Sequence, residues 1–113
     1  MTTRSEIMLD TDILSAVMRK NPLATERARS YLQVHRHFTF SVITRYELLR
    51  GLLAKGATKQ LAAFDQSCAT SRVLPLTGSI IVQAATGYAG LHRRGELISD
   101  ADILIAATAI THR

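Results

Sequence analysis

Three short runs of apolar and β-branched residues, 6–10, 37–42 and 72–76, stand apart in this chain, and the gaps between them carry apolar residues at helical spacing. Strands parted by helices cannot close as hairpins; they pair in parallel through crossovers. That alternation excludes an all-β sandwich and a simple helix bundle. The expected order is β-α-α-β-α-α-β-α-α, an α/β fold on a narrow three-stranded parallel sheet.

The helical stretches have readable limits. Ile13, Leu14, Val17 and Met18 mark a first helix over 11–19, which Asn21-Pro22 breaks, because a residue before proline is pushed out of the helical region. Pro22 suits the first position of the next helix, to about Val34. Further helices are expected over 44–55, closed by Gly56, and over 58–70, 77–94 and 99–110. Gly87 and Gly90 fall inside the fifth of these, where each costs about 1 kcal/mol relative to alanine, so a packing role is expected for them. A length of 113 residues suits one domain over 1–113, and no repeat, low-complexity tract or linker divides it.

Charge and cysteine usage narrow the setting. Fourteen Lys and Arg against nine Asp and Glu leave a net charge of +5, a balance that favours polyanions such as nucleic acid, or an acidic protein partner. The single cysteine, Cys68, has no internal disulfide partner. The opening residues lack the apolar stretch of a secretory leader, so a cytoplasmic location is expected. No window reaches the roughly 20 apolar residues of a membrane span, and no membrane association is expected.

The acids carry the chemistry. Asp10 ends the first strand, at the sheet edge where open α/β folds bind their ligands. Asp12 follows two residues later, Glu47 lies about a turn into the helix after strand two, and Asp100 and Asp102 open the last helix. Acids converging on one edge repel one another unless a divalent cation neutralises them. Hard oxygen donors select Mg²⁺ or Mn²⁺. Structural roles compete with this reading. Ser99-x-x-Asp102 is a capping-box spacing, and Asp12 suits the positive end of a helix. Glu47 lies within reach of Arg45 and Arg50 for surface ion pairs. Asp10 has the weakest structural excuse, since a charge ending a buried strand is costly without compensation. No HxxxH or HExxH spacing supports zinc. No glycine elbow surrounds Ser15, Ser41 or Ser99, and no glycine-rich loop cradles phosphate.

Three blocks carry a resemblance. Met8-Leu9-Asp10-Thr11-Asp12-Ile13-Leu14-Ser15 is similar to an LDTN-(I/V)-L opening. Phe40-Ser41-Val42-Ile43-Thr44-Arg45-Tyr46-Glu47-Leu48-Leu49-Arg50-Gly51 is similar to S-x-x-(S/T)-x-x-E-(L/I)-x-x-G. Ile98-Ser99-Asp100-Ala101-Asp102-Ile103-Leu104-Ile105-Ala106-Ala107-Thr108-Ala109 is similar to a D-x-x-IAA-x-A helix. In this order and spacing they resemble the PIN-domain proteins, most closely the VapC-type toxins of prokaryotic toxin–antitoxin pairs. The resemblance implies a three-layer α/β/α fold and an Mg²⁺- or Mn²⁺-dependent endoribonuclease. By position, Asp10, Glu47 and Asp102 match the family's metal-site acids, and Thr11 and Thr44 its nearby hydroxyl positions. Asp12 replaces the usual asparagine, and Asp100 is an additional acid. The resemblance also implies a homodimer and an antitoxin whose C-terminal segment occupies the active-site groove.

The family pattern continues beyond the last helix with a strand, a segment bearing a further acid, and a final strand. The 113 residues have no match to these. The expectation is therefore a C-terminally incomplete domain, with strand one left with an exposed edge and one metal-site acid fewer. Two other functions compete: a non-catalytic module that dimerises and binds an antitoxin-like peptide, and a phosphohydrolase. The latter rests on Asp10-Thr11-Asp12, which resembles the haloacid-dehalogenase opening with Asp10 as nucleophile. The downstream lysine and acidic pair of that fold have no match here.

Overall fold

The structure, a computed structural model, describes residues 6–112. The leader-free reading of the first residues falls largely on positions 1–5, outside the described residues. Nine elements follow in the expected order: β1 (Met8–Leu9), α1 (Thr11–Met18), α2 (Pro22–His35), β2 (Thr39–Ser41), α3 (Val42–Lys55), α4 (Thr58–Thr70), β3 (Arg72–Leu74), α5 (Gly78–Arg93) and α6 (Asp100–Thr111). The three strands lie in the order β1-β2-β3 and all pair in parallel. No helix among the described residues is long and apolar enough to cross a membrane.

Side-chain caps decide where strands yield to helices. Asp10 and Ser41 are extended residues whose side chains accept from the backbone N–H three residues on, starting α1 and α3. Each such bond satisfies an amide that the first helical turn leaves orphaned. The caps also explain why the strands are shorter than the apolar runs suggest, and why α3 begins at Val42 rather than near Thr44. Thr77 and Ser99 cap α5 and α6 in the same way. Asn21 caps α2 with Pro22 at its first position, as expected. Gly56 closes α3 at φ 63°, in the left-handed region that glycine enters without steric cost.

The register places Leu9, Phe40 and Val73 in one row across the sheet. That row meets Leu14, Phe38 and Phe64 in a core completed by Tyr31, Leu48 and Leu52 among others. Phe40 and Phe64 are fully buried, with ring centroids 6.3 Å apart. A second core, Ile80, Ala84, Ile103 and Ala107, lies between α5 and α6. At the amino ends of the strands, Glu6 holds His37 at 2.9 Å and Arg72 at 3.3 Å. One carboxylate thus links the starts of all three strands.

β1 has a strand partner on one side only among the described residues. On Ile7, the Tyr31 hydroxyl accepts from the amide at 3.0 Å and donates to the carbonyl at 3.4 Å. It does there what a neighbouring strand does elsewhere, and blunts the edge. Beside it runs an apolar groove of about 790 Å³ lined by Ile7, Leu9, Ile13, Val17, Leu23 and Phe38. The Cα radius of gyration, 15.3 Å, exceeds the roughly 13 Å of a compact domain near this length.

The packing role expected of the α5 glycines is not found. A methyl added at Gly87 would meet Ile103 Cδ1 at 3.5 Å, and one at Gly90 would meet Arg94 Nη1 at 3.8 Å. Both are ordinary contacts, so the structure has room for alanine. Gly90→Ala is expected to raise stability by about 0.5–1 kcal/mol. Phe64→Ala empties a sealed site and is expected to cost about 3–5 kcal/mol. Urea unfolding of each variant measures both.

Candidate active site at the carboxyl edge of the sheet

Parallel pairing turns the carboxyl ends of β1 and β2 to the same side, and each strand runs straight into a helix. The N-termini of α1 and α3 therefore lie side by side. Asp10 stands at the first of these. Its Oδ1 accepts from the Ile13 amide at 2.9 Å while its side chain stays exposed. The cap uses one oxygen, and among the described residues no hydrogen bond or ion pair engages the other. The charge that looked costly at a strand end is compensated by the helix terminus it caps.

Thr11 reaches across to α3. Its hydroxyl donates to Glu47 Oε1 at 2.6 Å and lies 3.3 Å from Thr44 Oγ1. A bond this short to a carboxylate is charge-assisted and stronger than a neutral one. The far oxygen, Oε2, has Arg50 Nη2 at 3.7 Å. The Glu47 side chain is 18% exposed and that of Arg50 60%, so the pair is long and solvent-screened on the arginine side and contributes little. Glu47 is thus held chiefly from α1. The surface ion pair expected from the local sequence exists, as the weaker of its two contacts. Arg50 also lies over the exposed ring of Tyr46, 5.3 Å from its centroid.

The remaining acids make no hydrogen bond or ion pair with this knot among the described residues. Asp12 is exposed in the first turn of α1, and Asp100 and Asp102 are exposed in the first turn of α6. The Asp102 amide donates to Ser99 Oγ at 3.1 Å, so the capping expected of Ser99 is present. Helix α6 packs against α3, on which Glu47 rides. Among the described residues, no three His, Cys, Asp or Glu side chains stand close enough together to hold a metal ion. Hydrogen bonds join Thr11, Thr44 and Glu47, and Asp10 precedes Thr11 at the same edge of the sheet; among the described residues none joins the side chains of Asp12, Asp100 or Asp102 to them. Ser41 belongs to the same knot: it is fully buried and 3.4 Å from Thr44 Oγ1. Its signal in the sequence was a cap spacing, Ser41-x-x-Thr44, at a strand-to-helix junction.

The donors are oxygens only, which fit a hard ion such as Mg²⁺ or Mn²⁺ and not zinc. Mg²⁺ keeps several of its waters and takes one or two protein carboxylates. Asp10 and Glu47 fit that demand in kind and number.

Known proteins resemble this chain in sequence and in fold. The PIN domain family pattern matches residues 7–113. The VapC ribonuclease Y4jK of Sinorhizobium fredii is 34% identical over 114 residues, covering 94% of this chain and 81% of the relative. The crystal structure of VapBC2 from Rickettsia felis, bound to a DNA fragment from their promoter, superposes with a TM-score of 0.80. Identity there is 22%, over 93% of this chain and 80% of that one. VapBC-1 from nontypeable Haemophilus influenzae gives a TM-score of 0.74 and 26% identity, over 93% and 79% of the two chains.

Cys68, on α4, packs against the first core. Burial pushes its thiol above the ordinary range, while Arg45 pulls it down and Asp65 pushes it up. The folded state therefore favours the neutral thiol. Its stabilising contribution is present below the ordinary thiol pKa and is lost as pH rises through the folded value. Alkylation of Cys68 by iodoacetamide at pH 8.5 is expected to be slower in the native protein than in the urea-unfolded chain. Equal rates overturn the assignment.

Proposed function

The chain belongs to the PIN domain family, and from that premise we propose that it is a toxin endoribonuclease that hydrolyses RNA phosphodiester bonds at the carboxyl edge of its sheet. The observation that carries the site is the Thr11–Glu47 hydrogen bond. It joins the helix after β1 to the helix after β2, so acids 37 positions apart in sequence share one edge. The haloacid-dehalogenase alternative falls with the family assignment.

PIN-domain ribonucleases are metal-dependent as a class. In this chain Asp10 and Glu47 would hold the ion, Mg²⁺ or Mn²⁺, with Asp102 of α6 as the third acid. An ion held by these residues would supply an activated water and positive charge for the phosphoryl oxygens. Asp10 would present its second oxygen from the amino end of α1, and Thr11 fixes one oxygen of Glu47 while the other lies beside Arg50. Thr44 backs Thr11. Asp12 adds negative charge at the start of α1, and Asp100 at the start of α6. The basic remainder of the surface draws in the RNA backbone. An antitoxin partner is proposed on the strength of the VapBC neighbours, and a homodimer on the family resemblance. A cytoplasmic location follows from the same reading.

One observation favours a second reading. Among the described residues Asp10, Glu47 and Asp102 do not stand together as a three-acid cluster, which suits a non-catalytic module that binds an antitoxin-like peptide. Calorimetric titration with Mn²⁺ separates the two readings, since the module binds peptide and no metal.

Asp10→Asn tests the leading reading cleanly, because asparagine caps a helix as well as aspartate does and removes only the charge. Asp10→Asn and Glu47→Gln are each expected to lower Mn²⁺-dependent cleavage of single-stranded RNA by more than about 100-fold. Changes to groups that merely support metal ligands already cost about 10–100-fold. The unfolding midpoint of Asp10→Asn is expected to stay near that of the parent. Undiminished cleavage by either variant rejects the assigned role.

A further inference from the structure

We propose that Ser41 is a positioning residue for Glu47, acting through a one-way chain of hydroxyl groups that runs from Ser41 through Thr44 to Thr11. The inference deepens the nuclease reading and rests on it only for the purpose Glu47 serves.

The direction of the chain follows from proton counting. An ionised carboxylate only accepts, and a hydroxyl has one proton to give. The 2.6 Å contact with Glu47 Oε1 uses the proton of Thr11. At the 3.3 Å contact Thr11 is therefore the acceptor, and Thr44 gives its proton there. That leaves Thr44 Oγ1 to accept at 3.4 Å from Ser41. Ser41 Oγ in turn accepts from the Thr44 amide at 3.1 Å. Every donor in the cluster is assigned, and each hydroxyl that gives a proton is made a better donor by the one that gives to it.

The inner two links are long, so burial has to enforce them. Ser41 and Thr44 are both fully buried, and water does not compete for their protons. Backbone carbonyls do not compete either. Thr86, Thr108 and Thr111 each donate to the carbonyl four residues back in their own helix. Thr44 sits in the first turn of α3, where the residue four back is Phe40 of β2. Its hydroxyl is left for Thr11. A carboxylate half-sheltered at a helix surface has several rotamers, and a donor fixed by a buried chain selects one.

The test separates this role from helix capping. Glycine at a cap position costs a helix much less than alanine does. Ser41→Gly thus removes the hydroxyl while keeping the start of α3. Thr44→Val removes the middle hydroxyl at nearly constant shape, and Thr44→Ser restores it. In metal-free protein, the Glu47 χ1 scalar couplings are expected to report one rotamer in the parent and in Thr44→Ser. They are expected to show averaging in Ser41→Gly and Thr44→Val. Mn²⁺ affinity by calorimetry is expected to fall about tenfold in the latter two, as for other groups that orient metal ligands. For RNA cleavage, kcat falls and KM stays. Single-rotamer couplings in both Ser41→Gly and Thr44→Val overturn the proposal. If the parent binds no Mn²⁺, the nuclease reading fails, and the couplings still decide the role of Ser41.

Discussion

The contact on which this site depends is the hydrogen bond from Thr11 to Glu47. It exists because β1 and β2 are parallel neighbours in register. Had they paired antiparallel, α1 and α3 would start at opposite ends of the sheet, and no threonine could span them. The side-chain caps at Asp10 and Ser41 add a second condition, since they let each helix begin where its strand stops. Shape and chemistry share atoms here: the residues that end the strands are also the polar lining of the edge.

The polar groups of this knot and the acids beyond it differ in how firmly they are held. Ser41 and Thr44 are sealed from solvent, Glu47 is mostly sheltered, and Asp10, Asp12, Asp100 and Asp102 are exposed. The order runs from buried hydroxyls outward to exposed carboxylates. This is the arrangement expected of a site that admits a charged ligand, because buried ionised groups without a counter-ion are costly. The same side of the molecule carries Arg50 near both Glu47 and Tyr46, which places positive charge beside the acids. The far end of the strands has its own link in Glu6, His37 and Arg72. The sheet is thus tied by polar side chains at both ends and by aromatic packing between them.

Much of the fold was legible in the residues. Pro22 after Asn21, Gly56 after Lys55, and the apolar spacing through α4 and α5 mark their helices because each signal acts locally, through fixed dihedrals or one helical face. The strands were placed correctly and drawn too long. A run such as 37–42 reads as extended throughout, whereas the Ser41 hydroxyl converts its end into a helix cap. Gly87 and Gly90 misled in the other direction. Their cost in a helix is local and visible, but whether a neighbour demands the missing methyl depends on how α6 lies, and α6 leaves space.

For the site, the sequence by itself determined which carboxylates stand at element ends, through strand and helix punctuation at Asp10, Asp100 and Asp102, and put Glu47 about a turn into the helix after the second strand. It also determined the family, since three motifs in fixed order need no coordinates to be matched. Only the tertiary structure decided that Glu47 leans on Thr11 more than on Arg50, that Tyr31 closes the edge of β1 at Ile7, and that Ser41 backs the whole arrangement. Those facts join residues 24 to 36 positions apart. Local periodicity has no term for such distances; they are set by which strands pair, in what register, and which side chains burial then leaves with a single partner.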